Sequence, residues 1–401
     1  MLNISLSIEE YDYFLPEDRI AQFPVKNREL SKLLVAIQKP YQIALFKDIV
    51  DYLPDNAVLI YNDTKVIPAR LIFQKPTGAR IEIFLIKPRQ PGDYQESFHI
   101  TSSVVWEVMI GNAARWKEGR LQLRWVENDE EQSLEVWKLE SNLVRFTWNP
   151  PTLTFGEILE KVAHVPLPPY IKREDNPDDR NAYQTVYAYQ PGSVAAPTAG
   201  LHFTEEILEQ LTIQKNILKI PITLHVGLGT FKPVKSAIAE HEMHAEPVIF
   251  SKESVMALAE HADKPWIVVG TTSLRALESL YYYLLYLHKG KKMDVVPQWI
   301  AWETPDKDII PRTELLKTMM KENIFQNIFF ETQLFILPGK PVLMGDYLIT
   351  NFHQPRSTLL LLVDAFASQP WKEVYSFALQ QELRFLSYGD ACLFNNKNKR
   401  F

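Results

Sequence analysis

The chain has 401 residues, 46% of them hydrophobic, which is ample for a substantial core and long enough for two domains. Its 43 basic and 49 acidic residues leave a formal charge of −6, so any RNA contact needs a local basic face rather than a globally cationic chain. The single cysteine, Cys392, excludes an internal disulfide and a cysteine-coordinated zinc site. The N-terminus lacks the order of a signal peptide, and the longest apolar run, Thr358 to Ala367, is too short to span a bilayer and carries Asp364. A soluble, cytoplasmic protein is expected.

Residues 57–149 are dense in short runs rich in β-branched and aromatic residues: AVLIYND, IPARLIF, ARIEIFLI, WEVMIG, GRLQLRWV, SLEVWKL and LVRFTW. Breaks such as Pro76-Thr77-Gly78-Ala79 separate them, as in a small barrel or sandwich. The texture changes after Pro150-Pro151. Thr154 is placed to cap a helix over FGEILEKVA, and PLPPYIKREDNPDDR reads as a proline-rich, charged loop. PWIVVG (265–270) reads as an apolar strand, Thr271-Thr272-Ser273 offers caps, and LRALESLYYYLL follows at helical spacing. GDYLITNFH is a second such strand, after which Ser357-Thr358 caps the apolar helix TLLLLVDAFA. The polar tail NNKNKRF is expected to fray. The expected fold is an α/β main domain, a mixed sheet with flanking helices, built from residues 1–70 and 151–401. A small antiparallel β-barrel, residues 71–150, is inserted into it.

Five of the nine histidines lie in a few short loops: His202, His225, His241, His244 and His353. Gly192, Gly200, Gly227 and Gly229 cluster with them, and glycine lets a backbone take positive φ or approach a ligand closely. HVGLGTFKPV (225–234) reads as a strand interrupted by glycines. Lacking a third glycine, it is not a dinucleotide fingerprint. HEMHAE (241–246) holds the metal-ligand types His241, His244 and Glu246, but at i and i+3 rather than the i and i+4 of a zincin, and with Pro247 following. In VVGTTSLRALES a strand opens a helix whose free N–H groups suit an anion; Arg275 offers a fork for a carboxylate, and Glu278 lies on its face. TNFHQPRST repeats the theme with Asn351, His353 and Arg356, so the two loops are expected to face one pocket at the carboxyl ends of strands.

NDTKVIPARL, YQTVYA, GSVAAPTAGLHFT, HVGLGTFKPV, HEMHAE, VGTTSLRALES, TNFHQPRSTLLLLVDAF and FLSYGDACLF occur in this order, after YDYFLPEDRIAQFP. Together, over nearly the whole chain, they resemble the S-adenosylmethionine:tRNA ribosyltransferase-isomerase family of queuosine biosynthesis. The resemblance implies an α/β domain with an inserted β-barrel. It implies that the ribosyl part of S-adenosylmethionine is transferred to 7-aminomethyl-7-deazaguanine at the wobble position of a tRNA and isomerised to give epoxyqueuosine, with adenine and methionine released. S-adenosylmethionine is then a co-substrate; no bound cofactor and no metal are expected, and the partners are the tRNA anticodon loop and no membrane, with the protein a monomer.

Within that framework His202, His225, Glu246 and His353 form the pool for the base and acid, because a carbon beside a sulfonium is acidified and loses a proton to a tuned histidine or carboxylate. Arg275 is the candidate for the methionine carboxylate, and Phe203 or Phe352 for a face against adenine. Thr198, Gly200, Gly227, Gly229, Thr272 and Ser273 are expected along the donor, with Glu278, Asn351, Ser357 and Thr358. Arg70, Lys75 and Arg80, continued by Lys87 and Arg89, are candidates for tRNA phosphates. Departures from the usual pattern include Lys65, Gln354 and Asp364. Three alternatives stay open: a relative with another acceptor, a metal-dependent hydrolase built on HEMHAE and His225, and a tRNA binder without catalysis.

Overall fold

The computed structural model describes residues 6–227, 234, 237–322 and 326–398. A ten-stranded mixed sheet organises the chain. Its centre is four parallel strands in the order Leu218–Leu224, Val58–Asn62, Trp266–Val269 and Tyr347–Asn351. Tyr347–Asn351 then pairs antiparallel with Ala391–Asn395, which runs parallel to Lys32–Val35. Beyond Leu218–Leu224 lie the antiparallel strands Glu246–Phe250 and Ile328–Thr332. The central strands are nearly continuous apolar runs because both faces are covered. Helices 252–260, 271–288 and 358–366 pack on one face, and helix 205–215 packs on the other.

Six antiparallel strands, from Arg70–Gln74 to Leu143–Asn149, form a second sheet. Its edge strands Arg70–Gln74 and Arg120–Glu127 approach each other, so it is a nearly closed barrel. Trp106, Val136 and Phe146 are buried inside, and Phe155 of helix Phe155–Val162 closes one end against Trp148. That helix starts on the expected cap: Thr154 accepts from Glu157 N–H, and Glu157 reaches back to Thr154 N–H. The first run, AVLIYND, joins the parallel centre of the large sheet instead of the barrel. Its strand Val58–Asn62 has strands bonded on both sides, which its unbroken apolar pattern suits. Among the described residues no helix is long and apolar enough to cross a membrane.

Candidate active site

The parallel strands end together along one rim, and two of them lead into helices that frame two adjoining clefts. Trp266–Val269 runs through Gly270 into helix Thr271–His288. Gly270 holds φ +90°, a conformation that glycine adopts without strain, and the helix starts there with no side-chain cap. The threonines expected as caps fall inside the first turn, whose N–H groups have no side-chain cap. Tyr347–Asn351 leads to helix Thr358–Phe366, which Ser357 caps by accepting from Leu360 N–H.

The first cleft, ≈ 680 Å³, has Thr198, Thr350, Asn351, His353 and Ser357 among its polar walls. The second, ≈ 640 Å³, has His241, His244, Glu246 and Arg275 facing Phe335 and Leu362. Thr271, Thr272 and Leu359 belong to both. The two loops expected to face one pocket therefore do meet.

The four acid–base candidates divide by position. His353 lines the first cleft and Glu246 the second, whereas His202 and His225 line neither. His353 Nε2 bonds Thr350 Oγ1 at 3.0 Å, and the backbone N–H of His353 donates to Tyr375 Oη. Burial lowers its pKa to about 3, so the ring is neutral. His202 sits behind the wall with both ring nitrogens engaged: Nδ1 with Ser31 Oγ at 2.7 Å, Nε2 with Asn351 Nδ2 at 3.1 Å. Thr198 Oγ1 donates to Asn351 Oδ1, which turns the amide nitrogen toward His202. The proton then lies on Nδ1, and Thr198, Asn351, His202 and Ser31 form one directed chain. Burial, with the Arg384 and Arg28 cations adding to it, lowers the His202 pKa to about 3. His225 stacks on Tyr94 of the barrel segment at 4.9 Å, meets Thr64 Oγ1 at 3.2 Å, and is lowered to about 4 by burial.

Glu246 is held by Gly227 N–H at 3.0 Å on Oε1 and by Arg275 Nη1 at 2.8 Å on Oε2. Arg275 Nη2 also donates to the carbonyls of His244 and Thr332. The fork expected for a substrate carboxylate has Glu246, not Glu278, as its acidic partner; Nη1 and Nη2 are engaged by the protein, while the buried Nε has no hydrogen-bond partner among the described residues. Among the described residues no group of three or more His, Cys, Asp or Glu is arranged to hold a metal ion. Gly229 lies outside the described residues.

Glu278 and Ser273 line neither cleft. Ser273 Oγ bonds Val269 O. Glu278 Oε1 accepts from Leu343 and Met344 N–H, and burial pushes its pKa up to about 7. A carboxyl raised from 4.5 to about 7 favours folding fully below 4.5, and that contribution is lost as pH rises through about 7. Glu278→Gln is expected to flatten this decline, read as urea midpoints at about pH 5 and about pH 8. Equal pH dependence in both proteins contradicts it.

Phe203 is buried against Phe46 and Tyr187. Phe352 reaches the first cleft, but its ring stacks on Phe385 at 4.7 Å. Neither ring presents a free face. Gly200 and Gly192 make room for the protein's own rings. A Cβ on Gly200 would lie 2.0 Å from Tyr187 Oη, and one on Gly192 2.9 Å from His225 Cε1. Arg70 pairs with Glu82, Arg80 with Glu82 and Glu174, Lys87 with Glu331 and Arg89 with Glu107, while Lys75 bonds the Arg115 carbonyl.

Sequence reasoning missed Tyr170 and Ser387, which bond each other at 2.5 Å in the wall of the first cleft. Their segments, PLPPYI and FLSYGDA, carry no periodic signal; only their aromatic and small polar residues beside glycine or proline mark them.

Residues 8–394 match the family model described as Queuosine biosynthesis protein. A protein of Sulfurihydrogenibium sp. called S-adenosylmethionine:tRNA ribosyltransferase-isomerase is 37% identical over 97% of this chain and 99% of its own. The chain belongs to that family. A Thermus thermophilus relative of the same name is 38% identical over 96% of this chain and 99% of its own. The crystal structure of the Thermotoga maritima S-adenosylmethionine tRNA ribosyltransferase is 28% identical, covers 96% of this chain and 99% of its own, and has a TM-score of 0.46. Family membership makes this chain an enzyme of queuosine biosynthesis, a transferase-isomerase.

Proposed function

We propose that the enzyme transfers the ribosyl unit of S-adenosylmethionine to 7-aminomethyl-7-deazaguanine at the tRNA wobble position and isomerises it, giving epoxyqueuosine-tRNA, adenine and methionine. The observation that carries this reading is the pair of clefts meeting at Thr271 and Thr272. The donor has two unlike ends, a nucleoside and an amino acid, joined at a sulfonium, and two joined clefts suit such a molecule. The methionine carboxylate goes to the uncapped first turn of helix Thr271–His288, where free N–H groups and the helix dipole favour an anion. This reassigns the part expected of Arg275.

In this reading His353 takes the proton from the ribosyl 5′ carbon. Its ring is neutral and so holds a lone pair that can accept the proton. Asn351, oriented by Thr198 and His202, presents a fixed amide to the first cleft. His202 acts as a positioning residue through Asn351. Expulsion of water by the bound donor strengthens each of these contacts.

The test is adenine release. The protein is incubated with S-adenosylmethionine and tRNA carrying 7-aminomethyl-7-deazaguanine, and adenine, methionine and the tRNA mass gain are followed. Adenine with modified tRNA is expected. Saturable binding of S-adenosylmethionine without turnover means that the acceptor is a different one.

A further inference from the structure

Behind the His202 wall lies a third cavity, ≈ 830 Å³, between the Pro24–Ser31 segment, helix Asp179–Ala182 and the Arg384–Gly389 loop. Its lining carries Lys26, Arg28 and Arg384 against a single carboxylate, Asp178. In a chain of net charge −6 that is a local reversal of sign. Arg28 donates to the carbonyls of Gln184 and Asn181, and neither it nor Lys26 has a carboxylate partner among the described residues. Only Arg384 is paired, with Asp390 at 3.2 Å. The contrast with the barrel, where Arg70, Arg80, Lys87 and Arg89 all have carboxylates, is direct.

Two further features adjoin the cavity. Phe23, immediately before its Pro24 edge, is 55% exposed, and the Arg173 guanidinium lies 4.2 Å from its ring centroid. An exposed ring adjoining a cavity that carries cations is the combination with which proteins hold single-stranded RNA: the bases stack and the phosphates meet the charge. Ser387 belongs to the walls of both this cavity and the first cleft, so a strand lying here is one residue's width from the donor.

We infer that the Lys26–Arg28–Arg384 cavity receives backbone phosphate of the tRNA anticodon loop and that Phe23 stacks a neighbouring base. This rests on the tRNA reading above. The cavity suits a phosphate and not the acceptor base, because an aminomethyl group is a cation at neutral pH and the lining repels it. The acceptor base instead passes beyond Ser387 into the first cleft, displaced from its stack as chemistry on a base requires.

The experiment uses full-length protein, tRNA and two variants, Lys26→Ala and Phe23→Ala. Lys26 is exposed and unpaired, and Arg173 keeps its two bonds to Asp179 when Phe23 is cut back. tRNA affinity is measured across salt concentrations, and S-adenosylmethionine affinity by calorimetry. Lys26→Ala is expected to reduce the log–log salt slope by about 0.7 to 0.9, one phosphate contact. Phe23→Ala is expected to weaken binding roughly five- to hundredfold with the slope unchanged, the effect of one lost stack. Both keep wild-type affinity for S-adenosylmethionine. If the wild type binds tRNA and releases adenine while both variants bind tRNA as it does, the cavity assignment is overturned. If the wild type has no affinity for tRNA, the underlying reading fails with it.

Discussion

Alanine in place of His353 is expected to slow adenine release at least about a hundredfold, the scale of one lost general base. Affinity for S-adenosylmethionine is expected to change far less. Three features make this position different from the other histidines. Its ring lines the first cleft, it is aimed by Thr350 Oγ1 on one nitrogen, and Nδ1 has no partner among the described residues. The backbone bonds to Tyr375 and Tyr13 survive the substitution, so the loop stays in place. Because burial lowers the His353 pKa from 6.5 to about 3, the ring remains a neutral acceptor until the pH approaches that value. The pH–rate profile should therefore show no inflection near 6.5 that belongs to this group. A near-native rate in the variant, or an inflection there that the variant abolishes, rules out the assignment. His202→Ala tests the other half of the argument. Its effect has to pass through the Asn351 amide, so the loss should be smaller and should be partly reproduced by Ser31→Ala.

Where the sequence spoke clearly, short-range chemistry was responsible. Thr154 and Ser357 stand just before apolar periodic runs, and both are caps in the structure. Thr271 to Ser273 looked equally good, yet the helix begins at Gly270, since only that residue takes φ +90° without strain. The strand Leu218–Leu224 escaped notice because LKIPITL contains Pro221. Proline is tolerated there because the antiparallel neighbour Glu246–Phe250 pairs only with Thr223 and Leu224. The motifs also located the histidines in one region, but the side of the wall on which each ring stands depends on partners far away in sequence: Ser31 for His202, Tyr94 for His225. The same limit applies to the glycines. A glycine that admits a ligand and one that admits Tyr187 read identically in one dimension.

Arg275→Ala is expected to destabilise the fold by about 3–5 kcal/mol, the usual cost of stripping one partner from a buried ion pair. The side chains of Arg275 and Glu246 are 11% and 5% exposed, so the pair is largely desolvated in the folded protein. The truncation also leaves the Thr332 carbonyl, buried between strand and helix, without its donor, and loosens the carboxylate that holds Gly227. Arg275→Lys keeps the charge but cannot span Glu246, His244 and Thr332 at once, so it should recover only part of the loss. Urea unfolding measures this, set beside the KM for S-adenosylmethionine in whatever fraction remains folded. A stable variant whose KM alone rises would return Arg275 to the donor carboxylate. A large fall in stability places it where the geometry does, as the clamp that fixes the floor of the second cleft. That outcome agrees with the proposed anion site at the first turn of helix Thr271–His288, which has no side-chain cap and whose Thr271 and Thr272 line both clefts.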